Sequence, residues 1–355
     1  MRIGVISYHT SPLAKPGIGD AGGMNMTIYN LFKRLGRNCD SDIVTSGERN
    51  YIKIQDNLRV IYINESRIKN FADAVIAHHE KNRYDLIHTH YWLSGLVGLE
   101  IKKRVAIPWV HTFHTIERFK GLIKDSGRVE VEESILHHSD LIISPTQIET
   151  KRIRESYPKA RVGVIPHGVD VRRFQPSPNG HKALLYVGRI DPLKGLDILI
   201  EAIMELKSEL RVDVVGGPSK DNNYHDSLKQ MAKGQNIRFL GQVDHSQLPK
   251  YYRDAGVVVL PSHYESFGLV GLEAMASARP VIGFEGTGLA ETVGRDGGLL
   301  IPKSLNGLKK AISLFANNQE LRHRVGEKGR RKALRLNWDG VSRRYLKTYA
   351  EITKG

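Results

Sequence analysis

The sequence predicts an α/β protein made of two doubly wound, Rossmann-like domains, and three observations predict it. Short β-branched runs alternate with longer helical patterns along the whole chain. The runs are apolar at consecutive positions, as strands of a parallel sheet covered on both faces must be. The series breaks at IPHGVDVRRFQPSPNGHK (Ile165 to Lys182), rich in Pro and Gly, and then starts again. A chain of 355 residues has room for two such domains.

In the first array, strands are predicted at Ile3–Ser7, Ser41–Thr45, Leu58–Ile63, Leu86–Thr89, Trp109–Thr112, Leu141–Ser144 and Val162–Ile165. Helices lie between them, for example Met24–Leu35 and Phe71–Asn82. In the second array, Ala183–Val187 is a strand, Gly195–Leu206 a helix, and Arg211–Val215 a strand that runs into Gly216-Gly217-Pro218. Asn236–Leu240, Val257–Leu260, Pro280–Gly283 and Leu299–Ile301 continue the series. The expected domains are residues 1–168 and 169–340. Ligands of such sheets bind beyond the carboxyl ends of the strands, so the cleft between the two domains is the expected site.

Composition narrows the function. Hydrophobic content of 40% and charged content of 26% are those of a globular protein. No run approaches the ~18 apolar residues of a membrane span. Met1-Arg2-Ile3-Gly4-Val5-Ile6 enters a strand directly, without a signal-peptide cleavage site. The single cysteine, Cys39, excludes an internal disulfide, and a reducing cytoplasm is the expected setting. Lys+Arg 53 against Asp+Glu 38 leaves a net charge of +15, which predicts an anionic partner. The densest basic run is RHRVGEKGRRKALRLN (Arg322 to Asn337). Aromatic residues are not interleaved with the cations, so nucleic acid is not the expected partner. A phosphorylated small molecule is, with peripheral contact to an anionic membrane as the alternative.

Four motifs carry chemistry. After the first strand, Gly17, Gly19, Gly22 and Gly23 precede a helix start, where backbone N–H groups can approach an anion. The spacing is not the G-x-G-x-x-G of dinucleotide sites. In LLYVGRIDPLKGLDILIEAI, Arg189 and Lys194 follow a strand end and suit a diphosphate whose charge rises as it departs. In PSHYESFGLVGLEAMASARPVIG, a helix predicted to start near Phe267 points the amides of Gly268 and Leu269 at the same phosphates. Glu265 then faces a sugar, and Glu273, two turns on, can accept from ribose hydroxyls. His88, His90, His111 and His114 come from two neighbouring strand ends. H-x-H and H-x-x-H spacings can hold zinc, but no H-E-x-x-H helix or carboxylate pattern accompanies them. No metal is expected.

These residues, with GDAGGMN (Gly19 to Asn25), HTHYWLSG (His88 to Gly95), HTFHT (His111 to Thr115), PHGVD (Pro166 to Asp170), VGRIDPLKG (Val187 to Gly195), RFLG (Arg238 to Gly241) and the E-x7-E pair, cover nearly the whole chain. Together they resemble the retaining glycosyltransferases of family 4, which have the GT-B fold. SPLAKPGIGDAGGMN and HYWLSG look most like the inositol-phosphate and sucrose-phosphate branches of that family.

The resemblance implies transfer of a hexose, glucose or N-acetylglucosamine, from a UDP-sugar to a small phosphorylated acceptor, with no cofactor. Arg189 and Lys194 would hold the donor diphosphate, Glu273 the ribose, and backbone near Val243 the nucleobase. Glu265 and the amides of Phe267, Gly268 and Leu269 would bind the sugar and phosphates, with Gly23 against the diphosphate. His114 would contact the donor sugar and, with Arg189, Lys194 and Glu265, form the catalytic set. His9, Asp20, Gly22, Met24, Asn25, Tyr91 and Thr115 match acceptor-side positions, and Lys69 and Arg128 stand where the acceptor phosphate would be met. Residues 341–355, within WDGVSRRYLKTYAEI and beyond, would cross back onto the first domain. The chain departs from the family at LGRNCDSDIV, where GHxV is usual, and at Glu285 in FEGTGLAETV.

Two other readings compete. A lipid or polysaccharide acceptor would favour a membrane-facing helix, for which Ile68 to His79 is the candidate. A non-catalytic binding module would lack Glu265, Arg189, Lys194 or His114, and all four are present.

Overall fold

The structure, a computed structural model, describes residues 1–15, 22–121, 123, 125–177, 183–207, 209–218 and 222–354. Asp20 lies outside these, as do Gly17 and Gly19 of the glycine loop. Two compact units are present: one comprises Met1–Ala14, Ala21–Gly168 and Trp338–Gly355, and the other is built on Val169–Asn337.

The first unit holds strands β1 (Arg2–Ile6), β2 (Asp40–Ser46), β3 (Tyr51–Gln55), β4 (Leu58–Ile63), β5 (Leu86–His90), β6 (Trp109–Thr112), β7 (Leu141–Ser144) and β8 (Val162–Val164). They form one sheet in the order β3-β4-β2-β1-β5-β6-β7-β8. All pairs are parallel except β3 with β4. Its helices are α1 (Gly23–Leu35), α2 (Ile68–Asn82), α3 (Trp92–Lys102), α4 (Ser126–His138) and α5 (Gln147–Ser156). Successive strand residues go to opposite cores. Ile3, Val5, Val110 and Ile143 join one cluster, and Ile6, Trp109 and Ile142 the other. Two covered faces explain the unbroken apolar runs, and each such side chain contributes roughly 1.5–3 kcal/mol on burial.

β3 was not foreseen. YIKIQ mixes charge with β-branched residues, because it is an antiparallel edge strand with exposed positions. The Asp56-Asn57 turn that joins it to β4 was the available signal.

The second unit holds β9 (Leu184–Val187), β10 (Val212–Val215), β11 (Ile237–Gly241), β12 (Val257–Leu260), β13 (Val281–Phe284) and β14 (Gly298–Ile301). The sheet is parallel, in the order β11-β10-β9-β12-β13-β14. Its helices are α6 (Leu196–Leu206), α7 (Asn222–Met231), α8 (Leu248–Asp254), α9 (Leu269–Ala276), α10 (Gly288–Gly297), α11 (Leu305–Asn317) and α12 (Gln319–Arg335). Leu184 and Tyr186 face one core, Leu185 and Val187 the other.

The last helix, α13 (Trp338–Ile352), belongs to the first unit. Its Val341, Tyr345 and Tyr349 share a core with Ile28, Leu31 and Phe32 of α1. Helix α2 buries Phe71, Ala72 and Val75 in the unit, and Ile68 and Ile76 pack against the same core. Its apolar stripe packs inward, and the membrane-facing alternative draws no support from it. Among the described residues, no helix is long and apolar enough to cross a membrane.

Candidate functional site

In the second unit, two loops at strand carboxyl ends are stitched together. β9 runs through Arg189 into a 3-10 turn, Pro192–Lys194. Asp191 caps the turn by accepting the Leu193 N–H at 2.9 Å. The loop after β12 is tied to it, because His263 N–H donates to the Leu193 carbonyl at 2.8 Å. Gly195 makes this approach feasible. Its φ is +67°, and a Cβ there would lie 2.1 Å from the Pro261 carbonyl oxygen.

The result is a contact that no spacing rule supplies. Lys194 Nζ lies 2.6 Å from Glu265 Oε1, both side chains about a quarter exposed or less. Arg189 beside them is exposed. Gly195→Ala is expected to destabilise the second unit by roughly 3 kcal/mol or more. The left-handed conformation costs about 1–2 kcal/mol, and the clash adds about 1–3. Urea unfolding checks this; an unchanged midpoint would mean that the two loops do not need to meet this closely.

Helix α9 begins at Leu269, not near Phe267. Gly268 takes the N-cap position in the left-handed region, with φ +88°. Phe267 is buried, and its carbonyl accepts the Thr292 hydroxyl at 2.5 Å. The helix therefore opens with the N–H groups of Leu269, Val270 and Gly271, and no side chain caps it. Such an end attracts anions.

Glu273, one turn further on, is engaged through both oxygens. His245 Nε2 lies 2.8 Å from Oε1, and the Tyr252 hydroxyl donates to Oε2 at 2.9 Å. Burial, and then this carboxylate, push the Tyr252 phenol well above its ordinary pKa. Val243 is half-buried in the loop that follows β11.

In the first unit, the histidines of β5 and β6 form a buried stack. His88 and His90 rings are 4.1 Å apart, and His90 and His114 rings 5.2 Å. His90 Nδ1 lies 3.0 Å from His114 Nε2, so a single proton lies between these two nitrogens. His167 stacks on His114 at 5.8 Å. His88 Nδ1 lies 2.6 Å from the Tyr349 hydroxyl of α13, and His88 Nε2 3.0 Å from Thr112 Oγ1. Burial holds His88, His90 and His114 well below the usual imidazole range, and lowers His111 to about 3 and His167 to about 4. All five are neutral imidazoles at pH 7. His114 has a φ of +63°, a left-handed backbone that no glycine relieves. Hydroxyls of Tyr349, Thr112 and Thr89 meet three nitrogens of His88 and His111, and the His90–His114 contact takes two more.

Tyr91, Thr115 and Arg128 converge as well. Arg128 is buried and fully engaged: Nε donates to Glu132 at 2.6 Å, Nη1 to the Tyr91 hydroxyl at 3.1 Å, and Nη2 to the Thr115 carbonyl at 2.8 Å and its hydroxyl at 3.0 Å. Glu117 Oε2 is 3.3 Å from Nη1 and also pairs with Lys120. His9 stacks on Tyr91 with ring centroids 4.7 Å apart.

Asn25 is a clamp. Its Oδ1 accepts from Gly22 N–H at 2.9 Å, while Nδ2 donates to Thr10 Oγ1 at 2.9 Å and to the Ser11 carbonyl at 2.7 Å. Gly23 and Met24 open α1 beside it, Gly23 exposed. Lys69 stands exposed on the first turn of α2.

Sequence reasoning missed four partners: His245, Tyr252, Glu117 and Glu132. Glu132 was findable, four positions after Arg128 on one helix face. The other three reach their partners through the fold alone.

Residues 21–173 match the family described as Glycosyltransferase Family 4, and residues 170–332 the one described as Glycosyl transferases group 1. The chain is 32% identical to a D-inositol 3-phosphate glycosyltransferase of Kineococcus radiotolerans, over 98% of this chain and 94% of that one. A solved structure of sucrose-phosphate synthase from Thermosynechococcus elongatus is similar, with a TM-score of 0.90 and 30% identity, covering 99% of this chain and 98% of that one. The Anabaena protein HepE, solved with UDP and glucose, shares the fold at a TM-score of 0.82 and 17% identity, over 99% of this chain and 100% of that one.

Proposed function

Because the chain belongs to the family 4 glycosyltransferases of GT-B fold, we propose that it is a retaining hexosyltransferase using a UDP-sugar, with glucose or N-acetylglucosamine as the sugar. The acceptor is a small phosphorylated alcohol, such as inositol phosphate or a sugar phosphate. The observation that carries this reading is the group formed by Arg189, Lys194 and the uncapped start of α9, with Glu265 paired to Lys194.

Each part has a chemical task. Lys194 has three N–H donors and spends one on Glu265, so two remain for phosphate oxygens. Arg189 adds a fork geometry that matches a diphosphate. Glu273 uses one lone pair per oxygen on His245 and Tyr252, and the second pairs can accept ribose hydroxyls. In a front-face substitution, the bond from the anomeric carbon to the leaving phosphate oxygen breaks while the acceptor oxygen bonds on the same face. The acceptor proton passes to that phosphate oxygen. No enzyme nucleophile is required, and catalysis comes from charge stabilisation and positioning. His114 is neutral, which suits hydrogen bonding to the sugar and not proton donation. On the acceptor side, Arg128 orients the hydroxyls of Tyr91 and Thr115. Lys69 is the exposed cation that can move to a phosphate.

Release of UDP from UDP-glucose or UDP-N-acetylglucosamine, with inositol phosphate, fructose 6-phosphate or anionic vesicles as acceptors, tests this. Release that needs a phosphorylated small acceptor is expected. Release with vesicles alone would replace it with the lipid reading. UDP binding without release from any pair would reject both.

A further inference from the structure

The net charge of +15 is not explained by the residues discussed so far. Some cations of the second unit are paired: Arg211 and Arg238 share Asp213, and Lys309 meets Glu205. Three others share a pocket. A pocket of about 480 Å³ lies between the segment after Val169 and helix α8, lined by Arg173, Lys250 and Arg253 together with Ser246 and Tyr251. No carboxylate lines it. Among the described residues, none of the three cations has an ion-pair partner, and Lys250 and Arg253 are exposed.

Arg173 supplies the second observation. Its Nη2 is buried and has no hydrogen-bond partner among the described residues. A buried cationic donor left unpaired is costly, and native proteins rarely keep one without a ligand or water to meet it. Two acids lie near: Asp170 Oδ1 accepts the backbone N–H groups of Arg172 and Arg173 at 3.1 and 3.2 Å, and Asp244 is exposed, with its Oδ1 accepting the Ser246 N–H at 2.7 Å and hydroxyl at 2.5 Å.

The pocket is separate from the donor-side residues. The Arg173 guanidinium lies over the Phe174 ring, 5.7 Å from its centroid. Phe174 packs on both His245 and Tyr252, at 5.7 and 5.6 Å, and these two hold Glu273. A layer of rings thus stands between the pocket and that carboxylate.

We propose that this pocket binds a phosphate group, carried by a soluble phosphate ester or by a lipid headgroup. One guanidinium fork, a second guanidinium and an ammonium around a concave volume match a compact dianion. This assignment is independent of the transferase reading.

Equilibrium dialysis of labelled inorganic phosphate in saturating UDP tests it, with the wild-type chain against the triple variant Arg173→Met, Lys250→Gln, Arg253→Gln. Wild type is expected to bind one phosphate more per chain. Arg173→Met alone is expected to weaken that site at least tenfold. Arg173→Met gives up the guanidinium–ring contact with Phe174 and keeps a sulfur–ring contact in its place, so it should melt in phosphate-free buffer close to wild type. Glycerol phosphate and vesicles containing phosphatidic acid separate the sources. Competition by glycerol phosphate without sedimentation marks a soluble ester, and sedimentation lost in the triple variant marks a headgroup. Equal phosphate binding by wild type and triple variant would overturn the assignment. So would an Arg173→Met protein that melts well below wild type in phosphate-free buffer, which would show the guanidinium to be structural.

Discussion

Acidification from about pH 7 to about pH 5 is expected to unfold the amino-terminal unit. His88, His90, His111, His114 and His167 are buried there and neutral. Above the ordinary histidine pKa of ~6.5 they are neutral in both folded and unfolded chains, and they give no pH dependence. Below it the unfolded chain takes up protons and the folded unit does not, so stability falls as pH falls. The loss continues to about 4 for His167 and about 3 for His111. Each histidine contributes a slope of about 1.4 kcal/mol per pH unit. Two of them alone remove roughly 4 kcal/mol by pH 5, a large part of a typical ~5–15 kcal/mol stability.

Glu149 acts in the opposite sense. Burial pushes its carboxyl up to about 7, so protonation from pH 7 downward favours the folded state. That offsets about one histidine, and four remain. Circular dichroism melts between pH 7.5 and 5 measure the outcome. A midpoint that stays flat across this range would show that water or a proton reaches the stack in the folded unit.

Lys194→Ala is expected to lower kcat by about 10²–10³, the usual cost of removing one donor from developing charge. Nucleotide binding should weaken less, because Arg189 and the start of α9 remain. The reason is geometric: Nζ is fixed by Glu265 at 2.6 Å, so its remaining donors need little reorganisation as phosphate charge rises. Glu265→Gln keeps the size of the side chain, removes the counter-charge, and should cost activity without unfolding the unit. Steady-state and single-turnover kinetics with the preferred donor distinguish the two effects. A Lys194→Ala enzyme within threefold of wild type in kcat would remove the lysine from the transition-state account.

The legible parts of this molecule are those whose cause is local. Strands β9 and β12 are apolar at successive positions because both faces are buried, and burial on both faces leaves a continuous hydrophobic run. The Pro- and Gly-rich stretch marks the passage between two arrays for an equally local reason. The E-x7-E pair and the Arg189–Lys194 spacing are readable because each lies within one loop-and-helix segment. β3 escaped because an edge strand has one side in water and needs no apolar run.

Helix α9 starts two residues later than expected because Gly268 adopts the left-handed region, and the first turn of α10 packs against it. A Cβ on Gly268 would lie 2.5 Å from Leu289, and one on Gly288 1.9 Å from the Ser266 carbonyl oxygen. The sequence shows glycines at both positions and does not show what approaches them.

The sequence by itself therefore determined the α/β class, the two arrays, and the identity of the charged residues near strand ends. Only the tertiary structure decided which of those residues meet. Lys194 finds Glu265 seventy-one positions away, His88 finds Tyr349 across 261, and Glu273 is held by His245 and Tyr252 from another loop and helix. Such pairings depend on how loops of several strands are brought to one end of a sheet. The short-range periodicities of 2 and 3.6 residues describe each element's faces and carry no record of that arrangement.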